Sequence, residues 1–231
     1  MRKTLFFLCV ATVLYSSCTK DRAVNPPKNS LFKVSLAPNV SDDANSTWQQ
    51  VLGGEAKIQF TALSSDTLTA STVTDSLDLT NIGAYSHQLV AGAYNIALAT
   101  ESTAIADTFI RFNAVANNFL INKDQAISLN ATTADGVITI GKSQVDTTIT
   151  PTFTPTGTTT ALNFGLANGY YFIYVKGTAS GEITFTEATT GDLYLYDITV
   201  SALNQYDILA ILNTNNVSVH RHLFHLKTNL K

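Results

Sequence analysis

EAKIQFTAL, residues 55–63, alternates strictly: Ala56, Ile58, Phe60 and Ala62 fall on one side of an extended chain, and Lys57, Gln59 and Thr61 on the other. Such a segment is a strand with one face in a core and one in water. The theme recurs, less pure, in DTFIRFNAV (107–115), QAISLNA (125–131), GVITIG (136–141), GEITFTE (181–187), DLYLYDITV (192–200) and YDILAIL (206–212). Gly, Asn, Asp and Ser separate these runs, and no long stretch carries a helical period. Short strands at short intervals predict an all-β chain built as antiparallel sandwiches, not alternating strand and helix units.

The N-terminal end has a different character. Arg2 and Lys3 precede an apolar run from Leu5 to Tyr15 that is too short to span a bilayer, so residues 1–17 read as an export signal. The run ends in Leu14-Tyr15-Ser16-Ser17-Cys18, which resembles a bacterial lipobox, and most closely the loose boxes of exported Bacteroidota lipoproteins. Tyr15 departs from it, since an aliphatic residue is usual there. The resemblance implies lipidation at Cys18 and a membrane partner through that anchor. Cys9 lies inside the signal and Cys18 is then the one cysteine left, so no intramolecular disulfide is possible and burial must hold the chain together. Of 14 basic residues the signal removes two, leaving 12 against 17 acidic and a net charge of −5. An acidic chain without basic clusters is a poor match for nucleic acid.

Residues 18–29 are polar and contain Pro26-Pro27, which favours an extended tether. Lys20-Asp21 partly resembles the surface-export tag of Bacteroidota lipoproteins, with Arg22 standing where a second acid is expected. The expected location is the outer membrane, on its periplasmic or its cell-surface face. Farther on, TTITPTFTPTGTTT (147–160) holds two prolines and almost no charge. Read as a linker, it divides the chain into a larger sandwich domain, 30–146, and a smaller one, 161–231; read as a loop, it leaves one sandwich.

An internal echo favours the division. LVAGAYNIAL (89–98) and LANGYYFIYV (166–175) share Leu-x-x-Gly-x-Tyr-x-Ile. In each, Gly92 or Gly169 can take the positive φ of a tight turn and release a strand whose alternate residues are Tyr94, Ile96 and Leu98, or Tyr171, Ile173 and Val175. The signature resembles segments of transthyretin-like and carboxypeptidase-regulatory-like sandwiches and of fimbrillin-type surface proteins of Bacteroidota. That resemblance implies an immunoglobulin-like or prealbumin-like sandwich used for display, adhesion or glycan handling. The two copies differ on the other face: Ala93, Asn95 and Ala97 in the first, Tyr170, Phe172 and Tyr174 in the second.

Those last three rings, with Tyr194 and Tyr196 of DLYLYDITV, are the candidate ligand-binding residues, because flat rings with polar tips suit sugar faces or a protein partner. The competing reading is that a strand apolar on both faces is buried on both. His220, His222 and His225 cluster in VSVHRHLFHLK. On a strand, His220 and His222 share a face and can present two imidazoles to a divalent metal, though no acid lies beside them in sequence; otherwise they are the polar face of a C-terminal strand. No cofactor is expected, and no hydrolase elbow, zinc-protease or phosphate-loop motif is present. Glu182 and Glu187, at a hairpin end, are the one carboxylate pair a polysaccharide or ester hydrolase could draw on. The reading that results is a non-catalytic, lipid-anchored envelope protein for adhesion, surface structure or capture of a glycan or protein, with a fimbrial-type subunit and an envelope hydrolase as alternatives.

Overall fold

The computed structural model describes residues 30–36, 40–41, 49–63, 71–127, 129–211, 216–224 and 227–228. The segments read as signal (1–17) and tether (18–29), Cys18 among them, and His225 lie outside them. The N-terminal half is a sandwich of two sheets. One has the order Asn130–Thr132, Asn113–Ile121, Gly92–Thr100, Glu55–Ala62, Thr72–Asp78, all antiparallel; the other sets Leu31–Leu36 between Ser86–Val90, antiparallel, and Gln125–Ile127, parallel. The alternation of the opening stretch is realised as written: Ala56, Ile58 and Phe60 are buried while Glu55, Lys57 and Gln59 face out. The chain passes between the sheets through a 3-10 turn, Leu79–Ala84. Its entry is fixed by Asp78, whose carboxylate accepts from the Thr80 N–H at 2.8 Å, and it buries Leu79 and Ile82 in the core of the sandwich.

The C-terminal half is built on a sheet with the order Gly165–Ala167, Tyr170–Lys176, Asp135–Gly141, Asn204–Ile211, Asn216–Leu223; the short strand Ala106–Asp107 also pairs with Tyr170–Lys176. A second sheet, Leu162–Asn163, Thr152–Pro155, Ser180–Thr186, Leu193–Thr199, covers one of its faces. The other face meets the N-terminal half. Val137, Phe172 and Tyr174 belong to the core of the first sandwich, and their chain neighbours Ile138, Ile140, Tyr171, Ile173 and Val175 to the core of the second. The middle sheet is thus a wall shared by two cores, which is why YYFIYV has no polar face.

Three expectations are corrected. The supposed linker 147–160 contains the strand Thr152–Pro155, which pairs with Ser180–Thr186 and buries Phe153 completely. Within it only Pro151–Pro155 is buried or half-buried, and Thr156-Gly157 is an exposed turn in which Gly157 takes φ 82°. Asp135–Gly141, assigned from sequence to the first domain, pairs within the C-terminal sheet, so the change of sheet falls before Asp135 rather than at 147. Finally, only Gly169 adopts the left-handed turn, with φ 80° beside Asn168 at φ 52°; Gly92 lies within its strand, outside the positive-φ region.

Candidate functional site

The five aromatic residues separate by environment. Phe172 and Tyr174 are 3% and 0% exposed; their rings meet edge to face at 5.8 Å. The Tyr174 hydroxyl donates to Gln50 Oε1 at 2.7 Å and accepts from the Val51 N–H at 2.8 Å, which pins the N-terminal half onto the shared sheet. Tyr194 is buried as well, stacked on Phe185 at 5.2 Å, with its hydroxyl donating to the Ile211 carbonyl at 3.2 Å. Burial, with the charges of Asp192 and Glu187 nearby, pushes that hydroxyl's pKa up. Tyr196 is half-buried against the second core. A continuous ring platform on the surface is therefore ruled out at Phe172, Tyr174 and Tyr194, because each faces another layer of protein. Tyr170 alone of the first three keeps an open side.

Tyr170 borders a groove of about 370 Å³ at the end of the middle sheet, lined also by Thr139, Ser143, Gln144, Asp207 and His220. The strand registers explain the gathering. Gly141 stands opposite Tyr170, Thr139 opposite both Phe172 and Asp207, and Asp207 opposite His220, so these positions share the face that carries Phe172 and Tyr174. Near the first edge of that face the N-terminal half covers it, with a last link from the Asn168 amide to the Gln49 carbonyl at 3.3 Å. Toward the Asn216–Leu223 edge the side chains turn polar and the groove opens.

Within it, Asp207 Oδ1 accepts from the Thr139 hydroxyl and, at 2.8 Å, from the Gln205 amide. Its Oδ2 faces His222 Nε2 at 3.4 Å. The structure therefore places His220 and His222 on one face, as the sequence predicts, and adds an acid that sequence reasoning missed. Asp207 sits on the preceding strand, and only the register reveals it.

Glu182 and Glu187 do not form a pair across a cleft. Glu182 belongs to the outward row with Thr184, opposite Asp197, whereas Glu187 follows the inward row of Ile183 and Phe185. The Glu187 carboxylate closes the hairpin turn, accepting from the N–H groups of Thr190 at 2.7 Å and Thr189 at 2.8 Å and from the Thr190 hydroxyl. The Thr190 N–H leads these donors in holding its pKa below the ordinary value, against burial that works the other way. A general acid needs the opposite shift.

A smaller cavity of about 180 Å³ lies where the halves join and includes Ser102, Arg111, Thr133, Asp135 and Lys176. Two of its charges, Arg111 and Asp135, pair with each other. Arg111 Nε and Nη2 donate to the two oxygens of Asp135 at 2.9 and 2.7 Å, and the Arg111 backbone N–H adds a third bond at 3.0 Å. Asp135 begins the strand Asp135–Gly141 of the shared sheet, and Arg111 lies just ahead of Asn113–Ile121 of the N-terminal sandwich, so this pair ties the two together.

No family model and no curated protein matches the chain. Among solved structures it is similar to a candidate cell adhesion protein from Bacteroides uniformis (12% identity, 87% of this chain and 99% of that one, TM-score 0.49). It is also similar to the tip fimbrial protein Mfa3 from Porphyromonas gingivalis (7% identity, 84% and 99%, TM-score 0.38). A third is a candidate polysaccharide binding protein from Bacteroides thetaiotaomicron (10% identity, 76% and 90%, TM-score 0.34). Overlaps this loose leave the account of this chain to its own residues.

Proposed function

We propose that this chain is a lipid-anchored, non-catalytic β-sandwich protein of the cell envelope that captures a glycan or an envelope protein. The observation that supports the reading is the groove at the open end of the shared sheet. One accessible ring, Tyr170, stands beside the Asp207 carboxylate, the His220 imidazole and the Thr139 hydroxyl, all on strands of the shared sheet, and beside Ser143 and Gln144 of the 3-10 turn Lys142–Gln144. Rigid strands position such groups without an ordering cost on binding. The membrane part of the reading is supported by sequence: residues 1–17 read as an export signal, Leu14–Cys18 resembles a lipobox, and 18–29 reads as a tether.

Two experiments test the two parts. Growth of the native host with a clickable fatty acid should label the wild type and leave Cys18→Ala unlabelled; an unlabelled wild type removes the anchor from the account. The exported, unlipidated Cys18→Ala chain, applied to an array of neutral and acidic polysaccharides and envelope extracts, should bind a subset through Tyr170. A Tyr170→Ala chain that stays folded and binds every target as before removes the groove.

One observation favours a second reading, a fimbrial-type subunit. Leu31–Leu36, the first described strand after the tether, is the centre of its three-stranded sheet and buries Val34 and Leu36. Its removal would open a slot that a strand from another molecule could fill. Concentration-dependent polymers after proteolytic trimming of the N-terminal segment support this reading, and a monomer under all such conditions opposes it.

A further inference from the structure

We infer that His220, His222 and Asp207 form a binding site for a divalent transition cation of the zinc type at the mouth of the groove. Residues 220 and 222 alternate onto one face of Asn216–Leu223, and Asp207 of the neighbouring strand stands directly across from His220. The separation of His222 Nε2 from Asp207 Oδ2 is 3.4 Å, long for a hydrogen bond. Two ligand atoms at 2.0–2.1 Å from a tetrahedral zinc lie about 3.3–3.4 Å apart, so the pair already has the spacing of two zinc ligands.

The carboxylate is also prepared for the task. Its Oδ1 is held by the Thr139 hydroxyl and the Gln205 amide, which leaves Oδ2 aimed at the imidazole. Ligating carboxylates are commonly oriented by just such outer hydrogen bonds. As the side chains stand, no three His, Cys, Asp or Glu groups among the described residues converge on one point. His220 completes the set by rotation about its own side-chain bonds, for which its exposure leaves room. The neighbouring cation does not oppose this: Arg221 alternates to the other face, where its guanidinium lies 5.8 Å from the Tyr206 ring centre and donates to Asn204 Oδ1. Two imidazoles and one carboxylate leave a fourth position to water, and because Asp207 and His220 line the groove, that position is open to a ligand hydroxyl or carboxylate entering it.

The test uses the untagged Cys18→Ala chain, in which no thiol from the lipobox can bind metal. Titration with zinc chloride in a calorimeter should show one ion per chain. His222→Gln, His220→Gln and Asp207→Asn should each weaken binding at least tenfold, Thr139→Val about tenfold through the loosened carboxylate, and His87→Gln not at all. In the wild type, substoichiometric Cu(II) should broaden the imidazole proton resonances of His220 and His222 before that of His87, a readout that needs no variant to fold. The proposal is overturned by absence of one-to-one binding up to millimolar zinc. It is equally overturned by affinity unchanged in folded His220→Gln, His222→Gln and Asp207→Asn chains, or by Cu(II) broadening that spares both residues.

Discussion

Gly92–Thr100 and Tyr170–Lys176 start from the same sequence pattern and end in different circumstances. In the first, Tyr94, Ile96 and Leu98 are buried and Asn95 and Ala97 face water. In the second, Tyr171, Ile173 and Val175 enter one core while Phe172 and Tyr174 enter another. The shared residues describe how a strand fills a sandwich. The differing ones report whether a second layer lies on its other side, and large apolar side chains there cost too much in water to be anything but an interface.

The largest effects are expected at the shared wall. Tyr174→Ala should cost about 3–5 kcal/mol by denaturant unfolding, since it empties a ring-sized volume and leaves the Val51 N–H and Gln50 without their partner. Arg111→Ala should cost a similar amount, roughly 3–5 kcal/mol, because Asp135 would stay buried without its countercharge. A cost below about 1 kcal/mol for either would mean the halves do not depend on these contacts.

Gly181→Ala places a methyl 2.5 Å from the Phe153 ring, and overpacking of this kind should cost about 1–3 kcal/mol; a neutral result would free residues 152–155 from the core. On the one-faced strand, Ala97→Tyr imitates the second copy of the echo and should stay within about 0.5 kcal/mol of wild type.

Acid should act through Glu187. Its pKa is lowered in the folded chain, so the stability it contributes is present above the ordinary unfolded value near 4.3 and is lost as pH falls through the lower folded value. The melting temperature followed from pH 7 to 2 should decline more gently in Glu187→Gln. An identical pH profile would show that the turn does not rely on the carboxylate.

How much of this the sequence disclosed depended on the range of the interaction. Alternation in EAKIQFTAL is local, and it names the fold class because each strand must present one face to a core. YYFIYV signalled burial on both sides by having no polar face, but not what lay opposite. The strand in TTITPTFTPTGTTT was hidden by its prolines, although Thr152-Phe153-Thr154-Pro155 keeps a period of two and Phe153 would be out of place in a solvated linker. The groove was the least legible part. Tyr170, Asp207 and His220 come from three strands joined by register, and nothing near His220 in sequence announces an acid. Arg111 and Asp135 were equally silent, since charge-assisted pairing across the two halves leaves no periodic trace.

The middle sheet is a wall with protein on both sides, and cysteines placed on its two faces report whether each is covered. In a Cys18→Ala background, Phe172→Cys and Ile173→Cys should both resist a maleimide until the chain unfolds, while in the first copy Ala97→Cys should react at once and Leu98→Cys should not. Rapid labelling of folded Phe172→Cys alongside protected Ile173→Cys would contradict the account and return that face, rings included, to the surface.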